Sequence, residues 1–94
     1  MDRAALDAVT PALKDRSKGG CEARIPAVCT RRGVHRHHRR RVRSDNRLVN
    51  LLYVCDACHR WIHANVRISR EHGFLVRRSA DPALVPISRF RQVL

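Results

Sequence analysis

The chain has 94 residues, enough for one small domain, and only Tyr53, Trp61, Phe74 and Phe90 are aromatic. A thin aliphatic core of this size falls short of stability on packing alone and calls for a staple, with a structural metal the first candidate. Twenty Lys and Arg against eight Asp and Glu, a formal net charge of +12, point to a polyanionic partner. No apolar run reaches the ~20 residues of a membrane span, so a membrane partner is not expected.

The chain opens on Met1-Asp2-Arg3-Ala4-Ala5-Leu6, which has no apolar signal-peptide core, so a cytoplasmic location is expected. Leu6, Val9 and Leu13 recur at helical spacing, with Thr10-Pro11 as a break; one or two short helical turns are expected, in an arm over residues 1–19. Lys18-Gly19-Gly20 forms a hinge into a main domain over residues 20–87. Residues 21–32 read as a loop closed by Cys21 and Cys29, and residues 33–38 as a short strand. The polar stretch 39–49, with Ser44-Asp45-Asn46 at its tip, is a loop, and Asn50 to Val54 is the second strand of a hairpin. A helix is expected from Asp56 to about Asn65, with Ile62 and Val66 facing the hairpin. Ser69 to Gly73 suit a further helical turn, Phe74 to Val76 a strand and Ala83 to Ile87 a short edge strand interrupted by Pro86. Residues 88–94 read as a basic tail. The fold class is α+β.

Four cysteines in a reducing compartment are more often metal ligands than disulfides. Cys55-x2-Cys58 has zinc-knuckle spacing, and Cys21-x7-Cys29 brackets a loop wide enough to fold both thiolates toward one point. Four thiolates complete the tetrahedral shell of Zn²⁺, so such a site holds structure and leaves no position for substrate. The alternative is two disulfides or free core thiols.

Five of the six histidines fall in two clusters: His35, His37 and His38, then His59 and His63. At i and i+4 on a helix, His59 and His63 share one face and can share an ion. Cys58 and His59 are neighbours and diverge by about 100° around a helix, so thiolates and imidazoles serve different metals. One member of His37-His38 can join the helical pair while the other is aimed elsewhere. A three-imidazole site keeps open positions for water and phosphate, and a free imidazole, with its pKa of about 6.5, suits a general base.

His37-His38, Asn50 and His59-x3-His63, flanked by the four cysteines, resemble the HNH motif of zinc-bearing ββα-metal (His-Me finger) nucleases from phages and bacteria. The resemblance spans roughly residues 20–87. It implies a zinc-stapled ββα-metal core in which His37, His59 and His63 hold a divalent ion (Mg²⁺, Mn²⁺, Ni²⁺ or Zn²⁺), His38 is the general base, and Asn50 ties down the loop between the strands. It further implies hydrolysis of DNA phosphodiester bonds to 5′-phosphate and 3′-hydroxyl ends in a bacterial host cell, with phage terminase subunits as candidate partners. The chain departs from the family pattern in its loop, where Arg43-Ser44-Asp45-Asn46-Arg47 stands in place of a Gly-Gly turn.

Arg31, Arg32, Arg36, Arg39, Arg40, Arg41 and Arg43 crowd around the first histidine cluster, and Arg60 follows His59. A run of like charge is destabilising until a polyanion neutralises it, so Arg36, Arg39, Arg40, Arg41, Arg43 and Arg60 are expected to contact DNA phosphates. The competing reading is a non-catalytic, zinc-dependent nucleic-acid-binding module in which the same histidines are ligands or phosphate contacts.

Overall fold

The structure, a computed structural model, describes residues 2–90. Its elements run α1 (Asp2–Ser17), β1 (His35–His38), β2 (Leu51–Val54), α2 (Asp56–Ala64) and α3 (Val66–Glu71), with 3-10 turns at Leu48–Asn50 and Pro82–Leu84. This is a small α+β unit with three α-helices and a two-stranded sheet among the described residues. No helix among them is long and apolar enough to cross a membrane.

The strands pair antiparallel in the register His35 with Val54, Arg36 with Tyr53, His37 with Leu52 and His38 with Leu51. Leu51, Leu52 and Val54 are buried and join Cys21, Ala23, Ile25, Ile62, Phe74 and Leu75 in the core. Gly33 precedes β1 because nothing larger fits: a Cβ there would lie 2.3 Å from the Tyr53 ring. Cys55 caps α2, its sulfur accepting the Cys58 N–H, and Asp56 in the first turn favours the helix dipole. Ile62 is buried as expected, but Val66 opens α3 and is exposed, because the chain breaks at Asn65 between the two helices.

Three sequence expectations are corrected here. The N-terminal segment is one continuous helix of 16 residues with Pro11 inside it, not one or two short turns. An interior proline costs ~3 kcal/mol, and tertiary contacts hold the helix against that cost. Leu13 is fully buried, and the Arg16 guanidinium grips both carboxylate oxygens of Glu22 at 2.8 Å and the carbonyls of Leu48 and Leu51. Phe74 to Val76 do not form a strand, since the N–H groups of Phe74 and Leu75 both turn back to the Ser69 carbonyl. Only Val76 is left to pair, donating to Arg39 in an isolated bridge beside β1. The edge strand expected at Ala83–Ile87 is instead the 3-10 turn started by Pro82 and capped by the Asp81 side chain.

The segment read as a basic tail is attached as far as it is described. Arg89 donates to the Glu22 carbonyl, and the Phe90 ring stacks on His72 and meets Trp61 edge-on. Residues 91–94 lie outside the described residues.

Arg39, expected to face DNA, is buried at 2% exposure and donates to the carbonyls of Gly73, Val49, Pro82 and Val85. All four contacts fall between 2.5 and 3.1 Å. A guanidinium buried with four of its five N–H donors on carbonyls is out of reach of phosphate, so Arg39 is a structural residue. Arg39→Met is expected to strand these acceptors and destabilise the fold by about 3–5 kcal/mol. Arg39→Lys should recover little, because an ammonium cannot reproduce the planar fork. Urea midpoints of the purified variants check both outcomes.

Candidate metal centres and the cleft beside the histidines

Cys21 and Cys29 come from the loop after α1, Cys55 from the junction of β2 and α2, and Cys58 from the first turn of α2. Hydrogen bonds from Gly33 N–H to the Gly19 carbonyl and from Cys21 N–H to the Arg31 carbonyl close the neck of that loop. Inside it Arg24, Ala27 and Arg31 hold positive φ angles of 48°, 63° and 75°. Each is a costly conformation for a residue with a side chain and persists only where surrounding contacts over-determine it. The strain brings the thiols together: all four are free, and their sulfurs lie within 4.8 Å of one another. Sulfurs around one zinc ion, each at ~2.3 Å, stand about 3.8 Å apart, so the cluster can close on zinc with small movements.

Backbone donors already point at these sulfurs. Thr30 and Cys58 N–H groups lie 3.4 and 3.3 Å from Cys55 Sγ, and Arg31 N–H lies 3.2 Å from Cys29 Sγ. Burial pushes the Cys55 thiol up, but the donors from Thr30 and Cys58 outweigh it and bring its pKa to about 6. Burial pushes Cys58 well above the ordinary thiol range. A nascent thiolate against its neighbours' protons is a donor set that a cation completes.

The second cluster joins β1 to α2. One ligand nitrogen from each of His37, His59 and His63 falls within the same 4.8 Å span. The Nε2 atoms of His59 and His63 are 3.2 Å apart. Two imidazoles on one ion at ~2.1 Å lie about 3.0–3.4 Å apart, so this pair already has the spacing of shared coordination. His37 is buried, and its Nε2 lies 2.7 Å from the Phe74 carbonyl. A carbonyl only accepts, so Nε2 carries the proton and Nδ1 keeps its lone pair, the kind of hydrogen bond that orients a histidine able to bind an ion. All three imidazoles are held neutral. Burial lowers His37 to about 3, and burial with neighbouring cationic groups lowers His59 and His63.

His35 shares the His37 side of β1, as strand alternation predicts. Its ring lies 4.9 Å from that of His59, and its Nε2 is 3.0 Å from Asp56. His38 takes the opposite side and lines a cleft of about 330 Å³ together with Arg36, His37, Arg41, Arg43, His59 and His63. Its Nε2 sits 2.8 Å from Asn46 Oδ1. An amide oxygen only accepts, so Nε2–H is the donor in that bond, and in the neutral ring Nδ1 then carries the lone pair.

Asn50 is fully buried and clasps both ends of the inter-strand loop. Its Nδ2 donates to the carbonyls of Arg40 and Asp45, and its Oδ1 accepts the Arg40 N–H at 2.7 Å. Asp45 is held well below the usual carboxylate range, at about 2, by hydrogen bonds from Arg47 and Arg40. That clasp delivers Asn46 to His38. Asn46 and the Phe74 carbonyl escaped the sequence reading. No spacing rule links an orienting group to a histidine 8 or 37 positions away.

The arginines divide. Arg41 and Arg43 line the cleft exposed and without an ion-pair partner among the described residues. Arg36 also lines it but is held by Asp7 and Thr10 of α1. Arg40 pairs with Asp45, and Arg60 is exposed and pairs with Asp56.

No protein-family model, no curated protein and no solved structure matches this chain. The site therefore rests on its own geometry.

Two outcomes are expected. Cys58→Ser, which leaves three thiolates, should lose bound zinc and with it most of the helical circular dichroism signal, since metal affinity of this kind is folding free energy. For His37 the folded pKa of about 3 lies below the ordinary 6.5, so the unfolded chain binds the extra proton between these values. The stability that neutral His37 contributes is thus complete above pH 6.5 and is lost as pH falls toward 3. The stability difference between wild type and His37→Gln should shrink over that window in denaturation midpoints measured against pH.

Proposed function

We propose that this chain is a metal-dependent endonuclease that hydrolyses DNA phosphodiester bonds, its cleft being an HNH-type site on a ββα-metal core. The observation that carries the reading is the division of labour in one hairpin-helix unit. Three neutral imidazoles converge on a point, and a fourth, His38, stands beside them with its Nδ1 lone pair fixed by Asn46.

His37, His59 and His63 would hold the divalent cation, and the cysteine cluster would hold zinc. When bound, the cation supplies charge neutralisation for the pentavalent phosphorus and the leaving 3′ oxygen. His38 Nδ1 accepts a proton from water as the water oxygen attacks phosphorus, and the Asn46 amide oxygen holds the Nε2–H so that the imidazolium forms without swinging away. Asn50 acts at one remove by holding the loop that carries Asn46. Arg41 and Arg43, exposed at the cleft with no partner to release, suit contacts to the flanking phosphates. Arg36 and Arg60 would first exchange a carboxylate for a phosphate.

A purely binding module needs no oriented imidazole with a free lone pair, and a polyanion gains nothing from an Asn46-fixed tautomer. The test is nicking of supercoiled plasmid after EDTA treatment and readdition of Zn²⁺ with Mg²⁺, Mn²⁺ or Ni²⁺. His38→Ala is expected to lower the cleavage rate by about 10²–10⁴-fold while zinc content, folding and DNA affinity stay near wild type. Zinc-loaded, DNA-bound wild type that cuts with none of these ions would sink the nuclease in favour of the binding module.

A further inference from the structure

A second groove lies on the far side of His38. It has a volume of about 490 Å³ and is lined by Arg36, His38 and Arg43, shared with the cleft, and by Arg3 and Leu6 of α1. Arg3 and Leu6 lie one helical turn apart, in line with Asp7 and Thr10, which reach Arg36 on β1. Leu13 and Arg16 fasten the same helix to the hairpin at its other end. The helix is therefore a fixed wall beside His38.

Arg3 is placed against its own local interest. A cation in the first turn opposes the helix dipole, and the natural partner four residues on, Asp7, is committed to Arg36. Arg3 makes no hydrogen bond or ion pair among the described residues, and the same holds for Arg43 across the groove. Two unneutralised guanidinium groups with a third between them repel until an anion enters.

We propose that this groove is a second phosphate subsite, in which Arg3 of α1 and Arg43 of the loop hold a flanking phosphate of the DNA strand whose scissile phosphate sits in the cleft. Leu6 supplies the apolar contact for the adjoining sugar. The subsite rests on the nuclease reading for its purpose but not for its detection, because it is measured first as DNA binding. Through it α1 sets where the strand lies relative to His38.

The experiment measures binding of a fluorescein-labelled DNA duplex by zinc-loaded protein in the His38→Ala background. Further substitutions are Arg3→Ala and, as a charge-matched control, Arg67→Ala on the exposed side of α3. Arg3→Ala is expected to weaken binding at least threefold more than Arg67→Ala. It should also reduce the slope of log affinity against log salt by about 0.9, one phosphate contact. Combining Arg3→Ala with Arg43→Ala should cost less than the sum of the two, since both act on one phosphate. With His38 intact, Arg3→Ala should raise KM for a duplex substrate and leave kcat near wild type. Equal losses for Arg3→Ala and Arg67→Ala, or no loss for either, would overturn the subsite. Selective weakening in a protein whose wild type never cuts would keep the subsite and remove the nuclease. Cleavage with KM indifferent to Arg3 would do the reverse.

Discussion

One guanidinium sets the frame on which the histidines stand. Arg39 leaves β1 at its end, turns inward and spends its donors on carbonyls from three separate stretches of chain: the loop before β2, the turn after α3 and the segment around Pro82. Gly73 is among them, in the left-handed conformation that lets the chain reverse at the end of α3. The next residue, Phe74, directs its carbonyl to His37 Nε2. A four-residue strand has too few ladder bonds to fix a side chain by itself. The carbonyl that meets His37 thus follows directly on the one gripped by Arg39, the residue just past the end of β1.

The same logic repeats on the other side of the strand. Asn50 holds the loop at Arg40 and Asp45, and the loop carries Asn46 to His38. Neither orienting group touches the point where the three imidazoles converge. Each histidine is therefore set by a group from a different segment, which makes the cleft sensitive to folding at a distance. The cysteine cluster sits where β2 passes into α2, beside a loop in which three left-handed residues store strain that metal coordination would offset. The cysteine and histidine clusters are kept apart by the divergence of Cys58 and His59 around α2.

Much of the site was legible in the chain. The two cysteine pairs, the i,i+4 histidines and the alternation of His37 and His38 follow from periodicities of 3.6 and 2.0 that hold wherever a helix and a strand form. Helix α2, capped by Cys55 and begun by Asp56, formed within a residue of its expected bounds. The full length of helix α1 is hidden from the sequence because Pro11 is a local signal, whereas the burial of Leu13 and the Arg16–Glu22 pair are not. Phe74 to Val76 had strand composition and lost the strand to a single acceptor, the Ser69 carbonyl.

Sequence by itself determined the candidate donor atoms: four thiolates and a set of imidazoles around one hairpin and the helix after it, and a charge of +12 around them. Residue type and spacing suffice for that, because they fix which groups share a face of one element. Tertiary structure decided what each arginine is for. Arg36, Arg39, Arg40, Arg41 and Arg43 look alike along the chain, yet Arg39 is a buried strut, Arg36 and Arg40 are paired, and Arg41 and Arg43 are open at the cleft. A flexible cation takes its role from whichever acceptors the fold brings within reach, and those acceptors lie in segments that no local pattern connects.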